Sequence, residues 1–117
     1  MEPETYHEKL KNKMDSFVHS AYKASKNFPK EELFGITSQL RRASLSVILN
    51  YIEGYARVKN KIHGNFLEIS YGSLKECKYL LYFSYKEKYL EEKDYQELIE
   101  LSEEIGAMPW GIIKKLN

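Results

Sequence analysis

A chain of 117 residues, 43% hydrophobic and 30% charged, has the make-up of one globular domain with a single core. A formal net charge of +1 excludes a protein that coats nucleic acid over its whole surface, and the lone cysteine, Cys77, excludes an intrachain disulfide. No apolar run approaches the ~20 residues of a membrane span, and the acidic start Met1-Glu2-Pro3-Glu4 carries no apolar leader, so a cytoplasmic chain is expected.

Four helices are predicted, over about residues 3–27, 29–58, 61–88 and 91–116, in one domain spanning 1–117. The first opens near Pro3, a residue tolerated in a first helical turn, and carries Leu10, Met14, Phe17, Ala21 and Ala24 at heptad-like spacing. Phe28-Pro29 ends it, because the residue before a proline is pushed out of the α region. The second helix has Glu31 and Glu32 in its first turn, where carboxylates complement the helix dipole, and offers Leu33, Ile36, Leu40, Ala43 and Val47 to a partner. Lys59-Asn60-Lys61 is a short polar link with Asn60 as its expected N-cap.

The third helix carries the stripe Phe66, Ser70, Ser73, Cys77, Leu80 and Ser84, whose small side chains let a neighbouring backbone come close. The fourth carries Leu98, Leu101, Ile105, Met108, Ile112 and Leu116. Pro109, between Gly106 and Gly111, predicts a kink or an early end there, since an interior proline removes one hydrogen bond and costs about 3 kcal/mol. Short links between long amphipathic helices predict an all-α, antiparallel up-down four-helix bundle.

Within residues 39–57, Gln39, Arg42, Ser46, Asn50, Glu53 and Arg57 recur at steps of three and four, forming one polar line on a helix that is otherwise apolar. So much apolar surface around the line predicts enclosure on several sides. Buried polar groups need partners, so Gln39, Arg42, Ser46, Asn50 and Glu53 are expected to form an internal network. Glu76 of the third helix is the expected partner of an arginine, and Ser70 and Ser73 supply hydroxyls. Breaking a buried pair of this kind costs about 3–5 kcal/mol. The alternatives for the line are an oligomer contact or a binding surface.

Charge is unevenly distributed. Residues 38–67 carry a net +4 and residues 87–104 a net −6, a polarity able to steer a partner or orient subunits. Ten tyrosines, five of them (Tyr71, Tyr79, Tyr82, Tyr85 and Tyr89) on or beside helix three, suit a core or a protein interface, and beside basic residues they also suit stacking on unpaired bases. His7, His19 and His63 lack ligand spacing, so no metal or cofactor is expected, and no glycine-rich phosphate loop is present. Arg57 and His63, with five residues between them at a helix junction, resemble the arginine–histidine signature of the all-α HEPN ribonucleases.

A wider likeness rests on Phe28-Pro29-Lys30-Glu31-Glu32, Gly35, Gln39, Arg41-Arg42-Ala43, Ser46, Asn50, Glu53-Gly54 and Arg57, continuing through Phe66-Leu67, Ser70, Gly72-Ser73, Glu76 and Ile105-Gly106. These residues resemble the signature of the four-helix-bundle proteins encoded in 23S rRNA intervening sequences, a group similar to the accessory variability determinant proteins of diversity-generating retroelements. The resemblance implies a ring-like homopentamer. In the retroelement branch it implies nucleic-acid binding and partnership with a reverse transcriptase; the intervening-sequence branch, to which this chain is more similar, has no established biochemical role. Relatives commonly have a proline where Ile48 stands and continue a helix where Pro109 falls, and the nucleic-acid binders are more basic than this chain. The expected function is an oligomeric accessory module without catalytic activity that binds RNA or DNA through Arg41, Arg57, Lys59 and Lys61. The alternatives are a protein-interaction scaffold ring and, third, a HEPN-like ribonuclease using Arg57 and His63.

Overall fold

In the computed structural model, the backbone is described for residues 4–57 and 60–116, and side chains for these residues other than 60–64 and 109–116. Four α-helices carry the fold: α1 (Tyr6–Ser25), α2 (Ile36–Ala56), α3 (Asn60–Lys86) and α4 (Glu92–Leu116), with a 3₁₀ turn at Lys30–Glu32. Each helix packs against its two neighbours in a closed cycle, and neither diagonal pair brings Cα atoms within 8 Å among the described residues. Every neighbouring pair is antiparallel. On α2 and α3, Arg42 meets Glu76, Ser46 meets Ser73, and the carbonyl of Val47 meets Ser70, so one helix ascends as the other descends. The same reversal joins the start of α1 to the end of α4 through Tyr6 Oη, which donates to the Met108 carbonyl at 2.7 Å. The smallest extent of the molecule is 19 Å, the depth of two helix layers at interaxial distances of roughly 8–10 Å. This is the up-down four-helix bundle predicted above.

Thr5-Tyr6-His7-Glu8 starts α1 as a reciprocal cap. Thr5 Oγ1 accepts from the Glu8 amide at 3.0 Å while Glu8 Oε2 accepts from the Thr5 amide at 3.3 Å, which moves the helix start to Tyr6 from the expected Pro3. The second helix also begins later than predicted. Phe28 is buried, Pro29 is extended, and the chain makes a 3₁₀ turn and a further turn before α2 starts at Ile36. Glu31 and Glu32 therefore precede the helix, and Leu33 points away from the core, 49% exposed. Glu32 still serves the α2 terminus: its Oε1 accepts from the Ile36 amide at 3.4 Å, and its Oε2 accepts from Tyr89 Oη at 3.0 Å. Gly35 leaves room for that carboxylate, since a Cβ there would lie 2.7 Å from Glu32 Oε1.

At the end of α3 the chain reverses through Lys88 in the left-handed region (φ 66°), with the Tyr89 amide donating to the Ser84 carbonyl at 2.8 Å and the Lys88 amide to Tyr85 at 3.0 Å. Asn60 is the first residue of α3 rather than its cap. α4 runs through Pro109 to Leu116, so of the two expected outcomes, a kink or an early end, the early end is not found. A proline removes only its own N–H from the ladder, so helical bonds on both sides can carry the helix past it.

The core joins Leu10, Met14, Phe17 and Ala21 of α1 to Leu40, Ala43, Val47 and Tyr51 of α2, Leu67, Leu74, Cys77, Leu80 and Leu81 of α3, and Leu98 and Ile105 of α4. Burial holds the Cys77 thiol up at about 12, with the Glu76 carboxylate adding to it, so it stays protonated and packs as a small apolar group.

Candidate functional site

The expected small-residue stripe of α3 lets α2 approach closely. Buried Ser70 donates to the Val47 carbonyl at 2.6 Å, a contact that needs the α2 backbone to lie against α3. Outward from it, Ser46 Oγ and Ser73 Oγ are 2.7 Å apart, and Asn50 Nδ2 donates to the Ser46 carbonyl and hydroxyl at 2.9 Å each. Further out, Arg42 Nη2 donates to Glu76 Oε2 at 3.0 Å, with side chains 65% and 45% exposed. Arg57 reaches back one turn to Glu53, from Nη2 at 2.6 Å and Nε at 3.0 Å. Gln39 is exposed.

The polar line thus follows the α2–α3 junction instead of an enclosed interior. Ser46, Asn50 and Ser73 form a half-buried hydroxyl–amide cluster, whereas the charged members sit in water. The expected burial of Arg42 and Glu53 is not found within the single chain, because four helices cover only the inner half of α2.

Of the residues expected to hold phosphates, Arg41 and Arg57 do not share a patch. Arg41 turns toward α1, where its Nε donates to Ser25 Oγ at 2.9 Å and its guanidinium lies 5.1 Å from the centre of the Tyr22 ring. Arg57 lies sixteen residues later, roughly 24 Å along the helix axis at about 1.5 Å per residue. Its charge is matched by Glu53, and it sits 5.7 Å from the Phe66 ring centre. Lys59 and the side chains of Lys61 and His63 lie outside the described residues, so the Arg57–His63 pairing has no geometry here.

Sequence reasoning missed a cluster where α1 begins. The Thr5–Glu8 cap fixes the first turn so that His7 meets Tyr51 and Tyr55, one turn apart on α2. His7 Nδ1 is 2.8 Å from Tyr51 Oη, and its ring stacks on Tyr55 with centroids 3.5 Å apart and planes 12° from parallel. The signal was available: Thr-x-x-Glu ahead of an amphipathic run marks a helix start. Burial pushes the Tyr51 phenol up to about 12, with Tyr55 and Tyr6 adding, so at neutral pH it keeps a proton to share with the imidazole. Burial, then Lys11, lowers the His7 pKa from its ordinary 6.5.

Folded His7 therefore binds a proton less readily than unfolded His7. Its contribution to stability is complete above 6.5 and declines as pH falls through that value toward its lowered folded pKa. Urea melts at about pH 7.5 and about pH 5.5 should show the native chain losing more stability on acidification than a His7→Gln variant. An equal loss in both would remove His7 from the pH dependence.

On the outer side of α2, Leu45, Leu49 and Ile52 form a line at steps of four and three; Leu49 is 58% and Ile52 43% exposed. Ile69 of α3 is likewise exposed. Among the described residues no helix is long and apolar enough to cross a membrane, and this line is too short to do so.

The model of one protein family, described as 23S rRNA-intervening sequence protein, matches residues 8–111. No curated protein matches the chain significantly. Among solved structures, a protein of unknown function from the S23 ribosomal protein family of Bacteroides thetaiotaomicron is similar over 94% of this chain and 99% of its own, with a TM-score of 0.86 and 22% identity. At that identity the likeness is one of fold.

Proposed function

Because this chain belongs to the 23S rRNA-intervening sequence protein family, we propose that it is a non-catalytic interaction module that closes on itself as a homo-oligomer, with five copies expected from the family resemblance. The exposed line Leu45, Leu49 and Ile52 carries this reading. Contiguous exposed apolar surface on a water-facing helix marks an interaction surface, and a helix apolar on both its inner and outer sides needs cover on both. In such a ring the half-buried Ser46–Asn50–Ser73 cluster and the Arg42–Glu76 pair would border the contact. Light scattering of the pure protein at micromolar concentration should give about five masses of 13.8 kDa. A single-chain mass would overturn the reading. The proposed setting is the cytoplasm.

A second reading, a nucleic-acid accessory module, is favoured by the run Arg57, Lys59 and Lys61 at the α2–α3 turn. Ring closure would repeat that cluster once per subunit, and linked clusters hold a strand that a single one releases. RNA or DNA would then be the partner, alone or with a protein such as a reverse transcriptase. Gel shifts should weaken steeply from low to physiological salt, because phosphate contacts release counterions. An unchanged shift in an Arg57→Ala, Lys59→Ala, Lys61→Ala variant would remove this cluster from the binding surface.

A further inference from the structure

The outward face of α3 takes no part in packing the bundle. Lys75, Tyr79, Tyr82 and Lys86 recur at steps of four, three and four residues, so they stand in one line about 16 Å long. All four are exposed, Tyr79 at 62% and Tyr82 at 47%. The two tyrosine rings are neighbours, with centroids 6.3 Å apart and planes tilted by 43°, and Phe83 supports Tyr79 from the side at 6.5 Å. The Lys75 ammonium lies 5.3 Å from the centre of the Tyr71 ring, which steadies that end of the line. Lys78, half-buried, adds a third cation beside it. Glu76, next to Lys75 in sequence, is turned away and engaged by Arg42, whereas Glu87 follows Lys86 and Glu103 of α4 shares a groove with Lys75 and Lys78.

We propose that this face binds single-stranded nucleic acid, with Tyr79 and Tyr82 stacking on neighbouring bases and Lys75 and Lys86 meeting the flanking phosphates. The arrangement differs from the outer line of α2, where Leu45, Leu49 and Ile52 carry no lysine and suit a protein contact. Lysine is depleted from the centres of protein interfaces, whereas aromatic rings bracketed by cations match a strand that presents bases beside a charged backbone. A duplex hides the base faces these rings would use. The surface is separate from the α2–α3 turn and does not depend on Arg57, Lys59 or Lys61.

Fluorescence anisotropy with a labelled single-stranded RNA of about 12 nucleotides, and with its duplex, tests the assignment at low salt on the full chain. The single strand should bind more tightly than the duplex. A Tyr79→Ala, Tyr82→Ala variant should lose at least about tenfold in affinity, a Tyr79→Phe, Tyr82→Phe variant should retain binding because the rings still stack, and a Lys75→Ala, Lys86→Ala variant should flatten the salt dependence. Light scattering is run on each variant. No binding at low salt, unchanged binding in the double-alanine tyrosine variant, or a changed particle mass in that variant would each overturn the proposal, the last by assigning the rings to a protein contact. Loss only in the Arg57→Ala, Lys59→Ala, Lys61→Ala variant would overturn it too, placing the strand at the α2–α3 turn instead.

Discussion

Replacing Leu49 and Ile52 together by glutamate should convert a multi-chain particle into single chains of 13.8 kDa. Both side chains face outward from the bundle, 58% and 43% exposed, so the new carboxylates meet water in the isolated chain and leave its core untouched. In an assembly the same carboxylates would be buried without partners, and an unpaired buried charge is strongly destabilising. Neighbouring copies would also place like charges against one another. The expected readings are a fall in mass by light scattering to one chain and a helical circular-dichroism spectrum equal to that of the native protein. An unchanged mass would show that this line is not the contact, and a lost helical signal would show that it supports the fold of the chain itself.

Two positions one half-turn apart on α2 should differ widely in stability. Leu40 is fully buried among the core residues, and Leu→Ala changes at such sites cost about 2–5 kcal/mol, depending on how far the surroundings close around the cavity. Arg42 is 65% exposed and its partner Glu76 45% exposed. Exposed pairs contribute about 0–1 kcal/mol because water screens them and two long side chains must be ordered to make them. Denaturant melts of Leu40→Ala and Arg42→Ala, compared at one protein concentration because association adds to apparent stability, should separate by at least about 1 kcal/mol. A cost for Arg42→Ala approaching that of Leu40→Ala would mean that assembly buries the guanidinium. That result would restore the enclosed polar network that the sequence alone led us to expect.

The sequence by itself determined the helices and most of the inward-facing residues. Leu10, Met14, Phe17 and Ala21, then Leu40, Ala43 and Val47, then Cys77 and Leu80, then Leu98 and Ile105 all lie at helical steps and are all buried. Periodicity reports which residues share a face, and a bundle of antiparallel helices buries one face of each. Periodicity does not report how wide the buried sector is. That is why the polar line of α2 read as interior: Arg42 and Glu53 stand on a helix rich in apolar residues, yet Leu49 and Ile52 turn out to face the same water.

Only the tertiary structure decided which neighbour each polar residue meets. Arg41 and Arg57 read alike as cations on one helix, but one leans on Ser25 of α1 and the other on Glu53 of its own turn, because a hundred degrees of rotation per residue sends them to different sides. Tertiary packing likewise brought His7 to Tyr51 across 44 positions of chain, and separated an apolar outer line on α2 from a tyrosine–lysine line on α3. Local spacing fixes a residue's angle around its own helix axis. The order and rotation of the neighbouring helices decide whether that angle points at protein or at solvent.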